Sequence, residues 1–209
     1  HFLLDYDQPQ IPPLISSSSN EILDAFPFEE EVKGVVVAMD GNSAAGPDRF
    51  TKNFFTYAWE VVGADVYKVV LAFFAGFELL RWIMATLIAL IPKVQQPQEF
   101  AQYRPISLCN FVNKIISRVL SNRLARVLPL IISLQQSGFV KDRLIIDNFL
   151  LAQEMVSHIG KKNRGGNVVF KLDMAKAYDR VSWFYLVKVL HAFGFGERWI
   201  DMFRRVVSN

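Results

Sequence analysis

The side chains that could do chemistry in this sequence are few, and one carboxylate stands out by its position. In "NVVFKLD", residues 167–173, Val168, Phe170 and Leu172 alternate with Val169, Lys171 and Asp173. That is the period of a strand with one apolar face. Asp173 then falls at the open end of the strand, on the face opposite the apolar one. A carboxylate held on a rigid element suits a metal ligand or a catalytic group. It equally suits a cap for the turn that follows. Asp179 comes six residues later, a spacing that is neither i+3 nor i+4 of a helix. The two carboxylates therefore need not share an ion, and Asp179 reads as a cap or an arginine partner. Histidine and cysteine supply no second site, because His1, His158, His191 and Cys109 are scattered without zinc-ligand spacing.

The elements that must hold these groups can be read along the chain. Residues 1–27 read as a linker, proline-rich and then "SSSSN", with Asn20 able to cap a short helix that Pro27 ends. Residues 28–81 read as a helical segment. "FEEEVKGVVVAM" puts acids at a helix start and spaces Val32, Val35, Val36 and Met39 helically. "DGNSAAGPDRF", 40–50, is a loop, and 51–80 predicts one or two apolar helices broken near Gly63 and Gly76. "WIMATLIALIP", 82–92, reads as a buried strand stopped by Pro92, followed by a loop over 93–103. From Asn110 the period is helical again: Val112, Ile115, Ile116, Val119, Leu120, Leu124, Val127. Lys114, Arg118, Arg123 and Arg126 are assigned to the other face, and Pro129 is expected to end the helix. Residues 135–143 read as a loop, 145–159 as an amphipathic helix, and "GKKNRGG" as a basic turn. Ser182 can cap a helix that runs through Phe193 and stops at Gly194, and "GERWIDMFRRVV" begins another. Helices dominate and strands are few, which makes the fold class α+β.

Composition sets the bounds. A chain of 209 residues that is 52% hydrophobic can bury a core, which excludes disorder throughout. The single cysteine excludes an internal disulfide framework and fits a reducing compartment. Residues 1–60 carry ten acids and three bases, while 61–209 carry ten acids and twenty bases. A basic body suits a nucleic acid or nucleotide partner. The basic helix face stands equally as a surface that tracks a phosphate backbone or as an ordinary solvated face. Asp5 and Asp7 stand where a signal peptide needs basic residues, so the expectation is an intracellular protein of the nucleus or cytoplasm, not a secreted one. The apolar stretch 69–92 is interrupted by Glu78 and Arg81, and the uncharged run from Trp82 to Pro92 is too short to span a bilayer, which takes about 20 residues. No membrane association is expected. The chain begins with histidine, which suggests a piece of something larger.

"FKLDMAKAYDRVSW" resembles the first catalytic motif of reverse transcriptases, in the form found in plant non-LTR (LINE-type) retrotransposons. Other segments resemble the same family in the same order. They are "AAGPDRF" at 44–50, "LIALIPK" at 87–93, "YRPISLCNFVNKIISRVLSNRLARVLPLIIS" at 103–133 and "QQSGFVKDRLIIDNFLLAQE" at 135–154. The similarity runs from about Phe28 to the C-terminus. It implies an RNA-directed DNA polymerase and a partial polymerase right hand. Residues 82–209 are expected to be fingers and incomplete palm, preceded by the helical segment 28–81. The family joins dNTPs to a primer 3′ hydroxyl with two divalent ions, Mg²⁺ or in its place Mn²⁺.

By position in the motifs, the resemblance makes Asp173 the catalytic and metal-binding aspartate and gives Met174 a backbone carbonyl ligand role. Tyr178 matches the steric gate, a ring filling the space a ribose 2′-OH needs. Lys93 and Arg104 match basic residues that grip the triphosphate, one as a point charge and one as a planar fork. Gly138 and Arg143 match a motif near the template, and Arg118 and Arg123 are candidate nucleic-acid contacts. The implied partners are an RNA template, a DNA primer and dNTPs. No oligomeric state follows.

The departures from the family pattern carry their own expectations. Arg49 replaces the glycine after Pro-Asp, so a turn that uses positive φ is in question. Lys141-Asp142 replaces Pro-Gly, so the loop is not expected to hold Arg143. The aromatic-X-Asp-Asp motif is absent from the 209 residues, as if the chain were cut before that motif and the thumb. One carboxylate cannot hold two ions, so the chain alone is expected not to polymerise DNA. The competing reading is a non-catalytic remnant that binds RNA or a partner. Uncovered palm surface predicts poor solubility.

Overall fold

In the computed structural model, the structure describes residues 11–161, Gly165, 167–172 and 180–207. Helix α1 (Ser17–Asp24) starts ahead of Asn20 because Ser16 is the cap: its Oγ accepts the Ser19 N–H at 3.1 Å. Asn20 instead accepts the Gly196 N–H through Oδ1 at 2.9 Å. Helix α2 (Glu29–Ala38) has three glutamates in its first turn, where the helix dipole favours negative charge, and buries Val32, Val35 and Val36. Helices α3 (Lys52–Tyr57) and α4 (Trp59–Phe74) part at Ala58, not near Gly63 as expected. Gly63 lies inside α4 because the Trp59 ring covers it; a Cβ there would come 2.8 Å from Trp59 Cε2. Gly76, with φ 91°, follows the end of α4 as expected.

Strands β1 (Thr86–Pro92) and β2 (Tyr103–Cys109) form an antiparallel pair with Thr86 opposite Cys109 and Pro92 opposite Tyr103. The strand expected over 82–92 therefore begins four residues late. It is also exposed, not buried, since Leu87, Ile88, Leu90 and Ile91 all face solvent. An isolated two-stranded ribbon has no layer on either face, so hydropathy alone does not bury it. Residues 81–84 turn instead, and there Ile83 and Met84 are buried. Strand β2 escaped the sequence reading because Pro105 and Ser107 interrupt its apolar run. Pro105 is tolerated because a two-stranded ribbon is all edge.

Helix α5 (Phe111–Ile131) continues two residues past Pro129, which was expected to end it. Proline in a last turn removes one N–H bond, and the Ile132 N–H still reaches the Leu128 carbonyl at 2.9 Å. Helix α6 (Ile145–Ser157) buries none of its residues. The strand expected over 167–173 is not formed across 167–172. That stretch is irregular and exposed, Phe170 to 83% and Leu172 to 90%. No strand among the described residues pairs with it, and an alternating sequence without a ladder partner has nothing to hold it flat. Helix α7 (Trp183–Phe193) matches expectation: Ser182 Oγ accepts the Tyr185 N–H at 3.3 Å, and Gly194, with φ 92°, stops it. Helix α8 (Glu197–Val207) follows.

Among the described residues the fold is mixed, mainly helical with one small antiparallel ribbon. It divides into two compact units. The first comprises residues 20–123 and 196–209 and holds most of the buried apolar side chains, among them Leu23, Val36, Val70, Phe73, Phe111 and Ile116. Helix α8 completes it by burying Trp199, Ile200 and Met202. Arg198 Nη2 donates to the Phe74 carbonyl at 2.9 Å, and the Arg205 guanidinium lies 4.2 Å from the Phe73 ring centre. The second unit comprises residues 1–19 and 124–195. Among the described residues its buried apolar side chains are Ile15, Val127, Val140 and Phe195, and the N–H groups of Leu14 and Ile15 both donate to the Phe193 carbonyl at 2.9 Å. Helix α5 passes from the first unit to the second at Arg123–Leu124. No helix among the described residues is long and apolar enough to cross a membrane.

Candidate nucleic-acid interface

Asp173, Met174, Tyr178 and Asp179 lie outside the described residues. Among the described residues, no three His, Cys, Asp or Glu side chains come together to hold a metal ion.

Lys93 and Arg104 are carried by the β1–β2 ribbon. Arg104 stands opposite Ile91, and the Lys93 N–H extends the ladder by one bond, to the Gln102 carbonyl at 2.7 Å. Arg104 is thus the diagonal neighbour of Lys93 across the ribbon, the relation that puts side chains on one face within reach of each other. The Lys93 ammonium donates to the Ala101 carbonyl at 2.9 Å. Arg104 is exposed and has no polar partner among the described residues. The connecting loop is pinned by Gln102, whose Oε1 accepts the N–H groups of Gln98 and Glu99 at 2.6 and 3.3 Å. The two expected phosphate-gripping cations therefore sit on one hairpin, with Arg104 open to solvent.

The loop 40–50 fastens that hairpin to α5. The Asp48 N–H donates to Asn110 Oδ1 at 2.9 Å, and Asp48 Oδ2 accepts the Phe111 N–H at 3.4 Å, at the start of α5. Asn110 Nδ2 donates to the Trp82 carbonyl, and the Asn110 N–H to the Ala85 carbonyl at 3.3 Å. Gly46 lies against the β2–α5 junction so closely that a Cβ would come 2.5 Å from the Asn110 nitrogen. Arg49 holds φ at 61° without being glycine. The left-handed turn is kept, against expectation, at a cost of about 1–2 kcal/mol for an L residue.

The basic face of α5 divides. Arg118 and Arg126 are exposed. Lys114 is tied down, donating to Ser43 Oγ at 3.3 Å and to the Ala44 carbonyl at 2.6 Å. Arg123 is the correction: it is 4% exposed and cannot serve as a surface contact for nucleic acid in this structure. Its Nε and Nη2 donate to Glu31 Oε1 and Oε2 at 3.1 and 2.8 Å, a two-pronged ion pair. Its Nη1 donates to the carbonyls of Leu23 and Ala25, and the guanidinium lies 5.0 Å from the Phe74 ring centre. Nearby, burial pushes the Asp24 carboxyl above its ordinary value of 3.8, and Arg198 and Arg123 pull it only part of the way back.

The second unit holds Gly138 and Arg143. Arg143 is half-buried, and its guanidinium reaches the carbonyls that follow α5. Nη1 donates to Ser133 at 2.5 Å and to Gln136 at 2.7 Å, and Nη2 to Ile132 at 3.1 Å. The replacement of Pro-Gly by Lys141-Asp142 was expected to leave Arg143 unheld; the structure holds it by letting Asp142 take φ 63°. Gly138 has an ordinary backbone angle, and its carbonyl accepts from Gln136 Nε2 at 3.2 Å. Phe139, next to it, is fully exposed with φ 63°. Sequence reasoning missed Glu31, Asp48, Asn110 and Asn148 as partners, since no spacing rule links residues so far apart in the chain.

Residues 91–209 match the family model described as "Reverse transcriptase (RNA-dependent DNA polymerase)". A protein of Xenopus laevis, "Transposon TX1 uncharacterized 149 kDa protein", is 28% identical over 197 residues, 94% of this chain. The chain spans 15% of the length of that relative.

Proposed function

The chain belongs to the reverse transcriptase (RNA-dependent DNA polymerase) family, and we propose that it is the fingers and incomplete palm of an RNA-directed DNA polymerase of a LINE-type retrotransposon. In this reading residues 28–81 are a helical lead-in and 82–209 the polymerase portion. The wording of "FKLDMAKAYDRVSW" supports the plant form of these elements, and the similarity to a transposon protein supports the mobile-element origin. The partners would be an RNA template, a DNA primer and dNTPs, in the nucleus or cytoplasm.

The observation that carries this reading is the family match over 91–209, which takes in Lys93, Arg104 and the segment around Asp173. Lys93 and Arg104 are proposed to receive the triphosphate, a role supported by their shared ribbon and the open guanidinium of Arg104. Asp173 is proposed as a carboxylate ligand for a divalent ion, Mg²⁺ by preference, with the Met174 carbonyl beside it. Tyr178 is proposed to exclude ribonucleotides. Such an ion would stabilise charge on the attacking and leaving oxygens of phosphoryl transfer. Arg118 is proposed as a template-backbone contact.

The test is filter binding of single-stranded RNA to the 209-residue chain across a salt series. The expected result is affinity that falls steeply as salt rises; no binding at low salt refutes the reading. Primer extension on an RNA template with Mg²⁺ and dNTPs should give no product from this chain alone, since it carries one of the required carboxylates. Any extended primer overturns that expectation.

A further inference from the structure

Resting on the reading that the chain binds RNA, we infer that Arg143 and Asn148 are positioning residues. Together they lock the loop 132–143 that follows α5, Arg143 by folding it onto itself and Asn148 by tying it to α6, and Arg143 itself is not a phosphate contact.

In α5 Pro129 already disturbs the last turn. The chain then leaves through Ile132 and Ser133, and Arg143 meets it there, directing three N–H bonds at the Ile132, Ser133 and Gln136 carbonyls. The planar guanidinium can span three acceptors at once; an ammonium cannot match that fork. Asn148, in the second turn of α6, acts from the other side. Its Nδ2 donates to the Gln135 carbonyl at 2.6 Å and to Ser137 Oγ at 3.0 Å. The two side chains therefore take up consecutive polar groups of one loop.

The loop has few other anchors. Ser137 and Val140 are its buried residues, and its internal turns close through Gln136 N–H to Ser133 and Arg143 N–H to Val140 at 3.1 and 3.4 Å. Phe139 and Asp142 both sit at φ 63°, where non-glycine residues rarely rest. Such a conformation persists only when its surroundings over-determine it. The Arg143–Asn148 clamp is that determinant. The loop's outward groups, Phe139 and Lys141, are then presented in one fixed arrangement.

The test uses the 209-residue chain and the variants R143A, R143K and N148A, with two readouts. Hydrogen exchange over residues 132–143 should speed up at least tenfold in all three variants. RNA affinity at fixed low salt should fall several-fold in all three, with the slope of log affinity against log salt unchanged. R143K should not rescue. If R143A flattens that slope by about one contact, and R143K restores affinity, Arg143 touches phosphate directly and the inference is overturned. Unchanged exchange also overturns it, and so does unchanged RNA affinity in a chain that binds RNA. If the unsubstituted chain binds no RNA, the functional reading fails, and with it the consequence for RNA; the exchange rates still decide whether the clamp exists.

Discussion

Arg123 lies in the middle of the buried stripe of α5, and the sequence contained the sign of this. At roughly 100° per residue, Ile115, Ile116, Val119, Leu120 and Val127 all fall within about 80° of Arg123, whereas Arg118 falls about 140° away. A charge inside an apolar stripe needs a partner. The partner, Glu31, lies 92 positions earlier in the chain, and no local pattern points to it. Replacing Arg123 with methionine would leave Glu31 and two carbonyls without their donor and should cost about 3 kcal/mol. Arg118→Ala should stay within about 0.5 kcal/mol. Urea unfolding of both variants checks the contrast, and equal losses would contradict it. Asp24 gives a pH prediction. Its carboxyl is held above 3.8 chiefly by burial, and its Oδ1 is buried with no hydrogen-bond partner. A raised folded-state value means that the stability gained from protonation is fully present below 3.8 and lost as pH rises through that raised value. Asp24→Asn should therefore raise the melting temperature near neutral pH, and the gain should vanish in acid. A variant that melts lower at neutral pH refutes this.

At the scale of elements, what was readable is what local chemistry dictates. Helix α7 was readable from its cap at Ser182 and its stop at Gly194. So was α2, from its acids and valines. The misreadings came where a neighbouring layer decides. The apolar run at 82–92 suggested burial, but only covering structure buries a strand, and β1 has only β2 beside it. The alternation of 167–172 suggested a strand, but a strand exists only as half of a pair. Of the candidate site residues, Lys93 and Arg104 were singled out by family order alone and their shared ribbon was not read, while the carbonyl bonds of Arg143 were not legible at all. The loop 40–50 shows the same limit. Its glycine and proline marked a turn, yet not its work of fastening β2 to α5. Gly46→Ala would drive a methyl group into the Cys109–Asn110 backbone and should destabilise by about 2–3 kcal/mol. Circular dichroism melts would show it; a neutral substitution would mean the junction yields.

Across the whole molecule, burial is uneven. Residues 20–123 and 196–207 hold the large buried side chains, whereas 124–195 leave α6 and 167–172 with their apolar residues in solvent. Regions with few buried apolar contacts open first. Brief trypsin digestion should therefore cut first in 124–195, for example after Lys141 or Lys161, and leave 20–123 intact longer, as read by mass spectrometry of the earliest products. Initial cuts within 20–123 would contradict the burial pattern. Helix α8 has a consequence for synthesis. Trp199, Ile200 and Met202 finish a core whose other members were made about 80 or more residues earlier. During translation the early half must wait, with that gap unfilled, until α8 leaves the ribosome. Closing so long a loop is slow, and in that interval the nascent chain is open to chaperones and aggregation.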